Sequence, residues 1–193
     1  PRFQIADMIK RMEFVIRKTN PKTIIINGDI KHEFGEISKT EWRYTIKLID
    51  FLSKYADLIL IRGNHDNILG PIADKKNIEI LDYYKTGDIF LCHGHEIPNS
   101  KEFKESKIII IGHEHPALGL KEGSRKEKYK CFLKGKYKDK TLIVQPSSNL
   151  ITEGTDILSQ KLLSPFLKQN LDNFEVYVVS EDIMKFGKIK NLL

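Results

Sequence analysis

Ile108-Ile109-Ile110-Ile111-Gly112-His113-Glu114-His115 is a run of four β-branched residues that stops at a glycine and then delivers two histidines. A short, continuous, β-branched run of this kind marks a strand buried on both faces. The plan recurs upstream. Thr23-Ile24-Ile25-Ile26 reads as a buried central strand and runs into Asn27-Gly28-Asp29. Leu58-Ile59-Leu60-Ile61 runs into Arg62-Gly63-Asn64-His65-Asp66, and Ile89 to Cys92 runs into His93-Gly94-His95. Four such strands, each closing in a loop that bears Asp, Asn or His, line those polar groups along one sheet edge, where α/β proteins bind their ligands.

Between the strands the period changes from two to that of a helix. Phe3, Ala6, Ile9, Met12 and Ile16 recur at spacings of three and four, which predicts an amphipathic helix ending near Thr19-Asn20-Pro21. Ser38 with Glu41 forms a capping box, and Trp42, Ile46, Ile49 and Leu52 give the buried face of a second helix. From Pro116 to Gln145 the chain alternates, is rich in lysine and is punctuated by glycine, which predicts antiparallel hairpins. Phe174 to Val179 reads as a late strand and Gly187 to Leu193 as a candidate for another.

With 193 residues the chain fits one globular domain, and it is read here as a single unit. It is 40% apolar and 30% charged, and its apolar runs are far too short to cross a bilayer. Cys92 and Cys131 form no disulfide or CxxC pattern, and no secretory signal opens the chain, so a reducing cytoplasm is the expected compartment. The net charge of +6 favours anionic partners.

All six histidines, His32, His65, His93, His95, His113 and His115, fall in the loops that follow the strands. Imidazole nitrogen, carboxylate and amide oxygen together suit divalent Mn, Fe, Zn or Ni, whereas a Mg or Ca site is built of oxygens. A GHxH pair beyond a strand end aims two imidazoles at adjacent metals, and Asp29 offers two oxygens to bridge them. Such a pair of ions clamps a phosphoryl group and acidifies a bridging water. His65, beside Asn64 and followed by Asp66, is placed to serve as the acid for the leaving group, because a neighbouring carboxylate favours the protonated imidazole.

The ordered set GDxxH (Gly28 to His32), GNHD (Gly63 to Asp66), HGH (His93 to His95) and GHxH (Gly112 to His115) resembles the calcineurin-like metallophosphoesterase superfamily. Within it, Gly28 to Gly35 and Arg62 to Asp66 are similar to archaeal phosphoesterases related to the SbcD nuclease subunit and to the PdeM-like endonucleases. The resemblance implies two mixed β-sheets packed face to face as a sandwich, with flanking helices. It implies two divalent ions, manganese first, with Asp29 bridging, Asn64, His93 and His113 on one ion, His115 on the other, and His65 with Asp66 assisting proton transfer. The implied activity is hydrolysis of phosphodiester bonds, with DNA or RNA among the candidate substrates. A phosphatase of small phosphoesters is the alternative within enzymes, and a scaffold that keeps the fold without catalysis is the alternative outside them.

The family opens with DxH on its first strand, and no Asp-x-His occurs in this chain. The expectation is that residues upstream of Pro1 carry that βα unit; the other reading is that one metal site is incomplete. His95 is expected beside the ligands rather than among them, because a turn at Gly94 aims one imidazole inward. His32 either lines the pocket or bonds neighbouring backbone, and Arg62 either reaches a phosphate or stays solvated. Lysines at 121 to 140, among them Lys126, Lys128, Lys130 and Lys136, are interleaved with Tyr129, Phe132 and Tyr137. That mixture suits a nucleic-acid backbone and its bases. A solvated hairpin is the plainer reading.

Overall fold

The computed structural model describes residues 2–30, 39–66, 70–76, 78–122, 125–150 and 152–192. His32 and Ser38 of the capping box lie outside the described residues. The chain forms two compact units, Pro1–Asp82 and Tyr83–Leu193, and each carries one β-sheet. The result is an α/β protein with two sheets and accompanying helices.

The N-terminal unit runs α1 (Arg2–Thr19), β1 (Thr23–Asn27), α2 (Lys39–Leu52), β2 (Asp57–Ile61), α3 (Gly70–Lys76) and β3 (Glu79–Leu81). Parallel strands need crossovers, and α2 and the segment holding α3 supply them. The three strands pair in parallel in the order β1-β2-β3, with Asn27 opposite Ile61 and Ile61 opposite Leu81. Helical spacing places Met8, Met12 and Ile16 of α1 on one stripe, where they meet Leu48, Phe51 and Leu52 of α2 over Ile24, Ile26 and Leu58. Ile49 fills a neighbouring core with Trp42, Ile46, Ile78 and Ile80. Ile49 and Leu52 are 1% and 3% exposed, and burial of each such side chain stabilises the fold by roughly 1.5–3 kcal/mol. β2 is the central strand here and β1 its flank, contrary to the sequence reading of Thr23 to Ile26. A β-branched run reports faces covered by helices and does not count strand neighbours.

The C-terminal unit runs β4 (Tyr83–Thr86), β5 (Ile89–Cys92), α4 (Lys101–Glu105), β6 (Ile108–Ile111), β7 (Pro116–Glu122), β8 (Arg125–Tyr137), β9 (Lys140–Val144), β10 (Thr155–Asp156), β11 (Glu175–Val179) and β12 (Ile183–Lys188). Its mixed sheet has the order β10-β7-β8-β9-β6-β5-β4, with β11 joined to β8 and β12 to β11. The hairpins expected after Pro116 are present, as β7 with β8 and β8 with β9. Phe90, Ile109, Ile111, Leu133, Leu142, Val144, Val176 and Phe166 close the core beneath this sheet. The lysine Lys140, 8% exposed, donates to the carbonyls of Lys104 and Ser106 and so finishes the C-terminal turn of α4.

The last strand comes earlier than its sequence reading. It spans Ile183–Lys188, and Ile189–Asn191 form a turn of 3-10 helix. Gly187 sits at φ 106° opposite Val176, and beyond Lys188 the chain leaves the ladder, with the Ile189 amide bonded to the Phe174 carbonyl and Ile189 buried.

Register places the loops. Cys92 lies opposite Ile111, Ile111 opposite Val144 and Val144 opposite Leu133, one level across the sheet. The chain beyond Cys92 and beyond Ile111 therefore emerges at one edge. β8 runs against β9, so residues 125–130 lie past that same edge with β7 as their partner.

Candidate metal centre

Gly28-Asp29 and Gly63 to Asp66 leave adjacent strands β1 and β2 of the N-terminal unit at one level. The buried Asp66 accepts hydrogen bonds at Oδ2 from the Asp29 amide at 2.7 Å and the Gly63 amide at 2.8 Å. In return Asp29 Oδ1 accepts from the His65 amide at 3.1 Å. Two carboxylates thus stitch the loops by charge-assisted bonds to backbone. Asp29 is held at φ 50°, a left-handed conformation that a non-glycine residue rarely adopts. Position 63 must be glycine, because a Cβ there would stand 2.1 Å from Asp29 Oδ1 and 2.4 Å from its amide nitrogen. Asn64 is exposed and His65 half-buried. Arg62 Nε lies 3.6 Å from Asp82 Oδ1, an exposed pair.

In the C-terminal unit the imidazoles gather at the edge defined by Cys92 and Ile111. His93 is 2% exposed, and its Nε2 lies 3.2 Å from His113 Nδ1. Two nitrogens bound to one ion at about 2.1 Å, in octahedral or tetrahedral arrangement, stand about 3.0 to 3.4 Å apart. The donor type and spacing on this unit thus fit a transition-metal ligand pair. His95 is exposed, with its ring 5.5 Å from that of His93 and 6.1 Å from that of His113, so it stands beside the pair. His113 and His115 sit at φ 58° and 51°, and Gly94 at φ 100°. Three of the five described non-glycine residues with positive φ are therefore Asp29, His113 and His115. Strained backbone of this kind collects at functional sites.

Next to the imidazoles, Cys92 and Glu114 are buried. Cys92 belongs to the core, and its burial pushes the thiol up to about 12, with a smaller push from Glu96. Burial also raises the Glu114 carboxyl, against the pull of the Ser164 and Leu163 amides and the Thr155 hydroxyl. The sequence reading gave no role to Glu114, Ser164 or Thr155. A charged residue between two histidines was the one visible signal among them.

The basic hairpin is partly spoken for. Lys130 Nζ donates to the Ser147 carbonyl at 2.9 Å and to the Asn149 carbonyl, and Lys128 Nζ lies 3.5 Å from Glu153 Oε2. Lys136 is exposed with Nζ 3.3 Å from Thr141 Oγ1, and the Lys126 backbone pairs with Lys121. No helix among the described residues is long and apolar enough to cross a membrane.

The fold is similar to that of a Pseudomonas putida nuclease MPE, at 18% identity and TM-score 0.67, with 96% of this chain and 80% of that one covered. Fainter likenesses reach a single mutant of Vps29 from Entamoeba histolytica, at 15% identity, TM-score 0.39 and 91% and 89% coverage. They also reach a conserved phosphoesterase-like protein from Streptococcus pneumoniae, at 13% identity, TM-score 0.38 and 93% and 84% coverage. No curated protein matches the chain. The family model described as calcineurin-like phosphoesterase matches residues 2–151, and the chain accordingly belongs to that family of metal-dependent phosphoesterases.

Proposed function

We propose that the chain hydrolyses phosphodiester bonds with two divalent ions, manganese by preference, and that nucleic acid is its substrate class. The observation that carries the reading is the 3.2 Å approach of His93 Nε2 to His113 Nδ1 beside residues locked at positive φ. The motif order, the net charge of +6 and a structural relative described as a nuclease support it further. The GDxxH and GNHD motifs also support placing the chain with the SbcD-related and PdeM-like branch.

When bound, such a pair of ions clamps the phosphoryl oxygens and brings a bridging water to a pKa of about 7. On this reading Asp29 would be the ligand shared by both ions, Asn64, His93 and His113 would hold one, and His115 would hold the other. The Asp66 carboxylate fixes Asp29 through its amide, and the buried setting of His93 excludes water from one side. His65 holds the proton for the leaving oxygen, and Arg62, His95 and His32 stand as candidates to contact substrate. Free Cys92 and Cys131 suit a reducing compartment.

A second reading, hydrolysis of small phosphoesters, is favoured by one observation: Lys128 and Lys130 already have partners within the chain. The test of the main reading is His65→Asn with manganese present. The variant should keep its metal content and lose about 10²- to 10⁴-fold in rate on a DNA phosphodiester, with less loss on an activated aryl ester. Equal losses on both substrates would remove His65 as the acid. Wild-type turnover of small esters with none of DNA would put the second reading first.

A further inference from the structure

The imidazole loops of the C-terminal unit are held from far along the chain. Glu114, between His113 and His115, is 2% exposed, and its Oε2 accepts from the amides of Leu163 at 2.7 Å and Ser164 at 2.8 Å. Ser164, fully buried, donates its hydroxyl to the carbonyl of Gly94 at 2.7 Å, and Gly94 lies between His93 and His95. One serine therefore ties both histidine loops together. Thr155 adds a second hold, with its amide 2.9 Å from the His115 carbonyl and its hydroxyl 3.0 Å from the Glu114 carbonyl. Residues 155 to 164 follow residue 151, where the family match ends.

These bonds act where the sheet ladder has stopped. The ladder fixes Cys92 opposite Ile111, but His93 to His95 and His113 to His115 lie beyond it, and Gly94, His113 and His115 have left-handed backbone. Such conformations persist only when their surroundings over-determine them. The partners of this carboxylate and hydroxyl are backbone groups, two amides and a carbonyl, so only polar side chains can satisfy them. What the polar pair adds is direction: it sets two carbonyl-bearing loops at hydrogen-bond distance from one residue.

We propose that Glu114 and Ser164 are positioning residues, a brace supplied by the C-terminal segment that sets the geometry of the His93 and His113 imidazoles for metal. The proposal rests on the reading of His93, His113 and His115 as ligands. Partners that orient metal ligands typically carry about 10- to 100-fold in metal affinity.

Cobalt(II) is the probe, because its visible absorption reports coordination geometry independently of turnover. Full-length Glu114→Ala and Ser164→Ala should each weaken cobalt binding about 10- to 100-fold and shift or weaken the visible band. Glu114→Gln should restore both, since the amide oxygen accepts the same two amides. Ser106→Ala is the matched control: it also removes a buried serine bond, from Ser106 Oγ to the Phe103 carbonyl at 2.8 Å, and should leave affinity and spectrum at wild-type values. Wild-type affinity and spectrum in Ser164→Ala and Glu114→Ala would overturn the brace, and so would an equal spectral shift in Ser106→Ala. If Glu114→Ala does not fold, Ser164→Ala and Glu114→Gln decide alone. A wild-type protein that binds no cobalt removes the metal reading and the brace with it, an outcome distinct from a brace that fails while metal still binds.

Discussion

The two units solve one problem, fixing polar side chains beyond strand ends, in opposite ways. In the N-terminal unit the support comes from within the motifs: Asp66 and Gly63 belong to one short motif, and the residue they fix, Asp29, 37 residues before Asp66, belongs to the motif that leaves the neighbouring strand. In the C-terminal unit the support comes from afar: Glu114 and Gly94 are held by Ser164, 50 and 70 residues along the chain. Support that comes from motif residues is written in the sequence and so is visible there. Remote support needs only an amide and a hydroxyl at the right point in space, and no spacing announces it.

The contrast can be broken at several points. Asp29→Asn should have the largest effect, a loss of more than about 10⁴-fold in rate, or roughly 5.5 kcal/mol of barrier, because a neutral amide cannot hold two cations together. Thermal unfolding should stay near wild type, since Oδ1 can still accept from the His65 amide. Most activity surviving in a metal-titrated assay would remove the bridging role. Gly63→Ala tests the support within the motifs next. The Cβ would overlap Asp29 Oδ1 at 2.1 Å, so the fold should lose about 1–3 kcal/mol and Asp29 should move. Denaturant unfolding measures the first and metal affinity the second; a variant unchanged in both would mean the loops adjust freely.

The hairpin of β7 and β8 sharpens the comparison from the side of substrate. Replacing Lys126, Lys128 and Lys136 by Ser leaves Lys130 to hold the Ser147 and Asn149 carbonyls. If the hairpin follows a polynucleotide, the slope of log affinity against log salt should flatten by about 0.7 to 0.9 for each phosphate no longer neutralised, with aryl-ester turnover unchanged. An unchanged slope makes the hairpin a solvated surface. The smallest effect is expected at Cys131, whose thiol burial, aided by Asp156, pushes up to about 12. An alkylating agent at pH 8 should leave it untouched in the folded protein and modify it in denaturant. The raised value also gives the sign of the pH effect: this thiol's contribution to stability is complete below its ordinary value of 9.0 and is lost as the pH climbs towards about 12.

Much of the secondary structure was legible. α1, α2, β2, β5 and β6 fall where period and β-branched runs put them, because burial of one helix stripe or of a whole strand leaves a mark in every few residues. α3, β4 and α4 left weaker marks: they are seven, four and five residues long, too short for a period to emerge. The β4–β5 hairpin turns at Gly87, φ 54°, a single-residue signal that the longer strand runs overshadowed. The tail strand ends where the sequence suggests a beginning: Gly187 pairs with Val176 one residue before the strand stops at Lys188.

By itself the sequence determined the family and the residues gathered at the strand ends, since ligand chemistry restricts residue type and strand ends restrict spacing. Tertiary structure alone decided how those residues are held: the left-handed backbone of Asp29, His113 and His115, the closeness of Gly63 to Asp29, and the link from Ser164 to Glu114 and Gly94. The reason is physical. A backbone conformation of higher energy is chosen by the sum of contacts around it, and those contacts come from residues whose nearness exists only once the chain has folded.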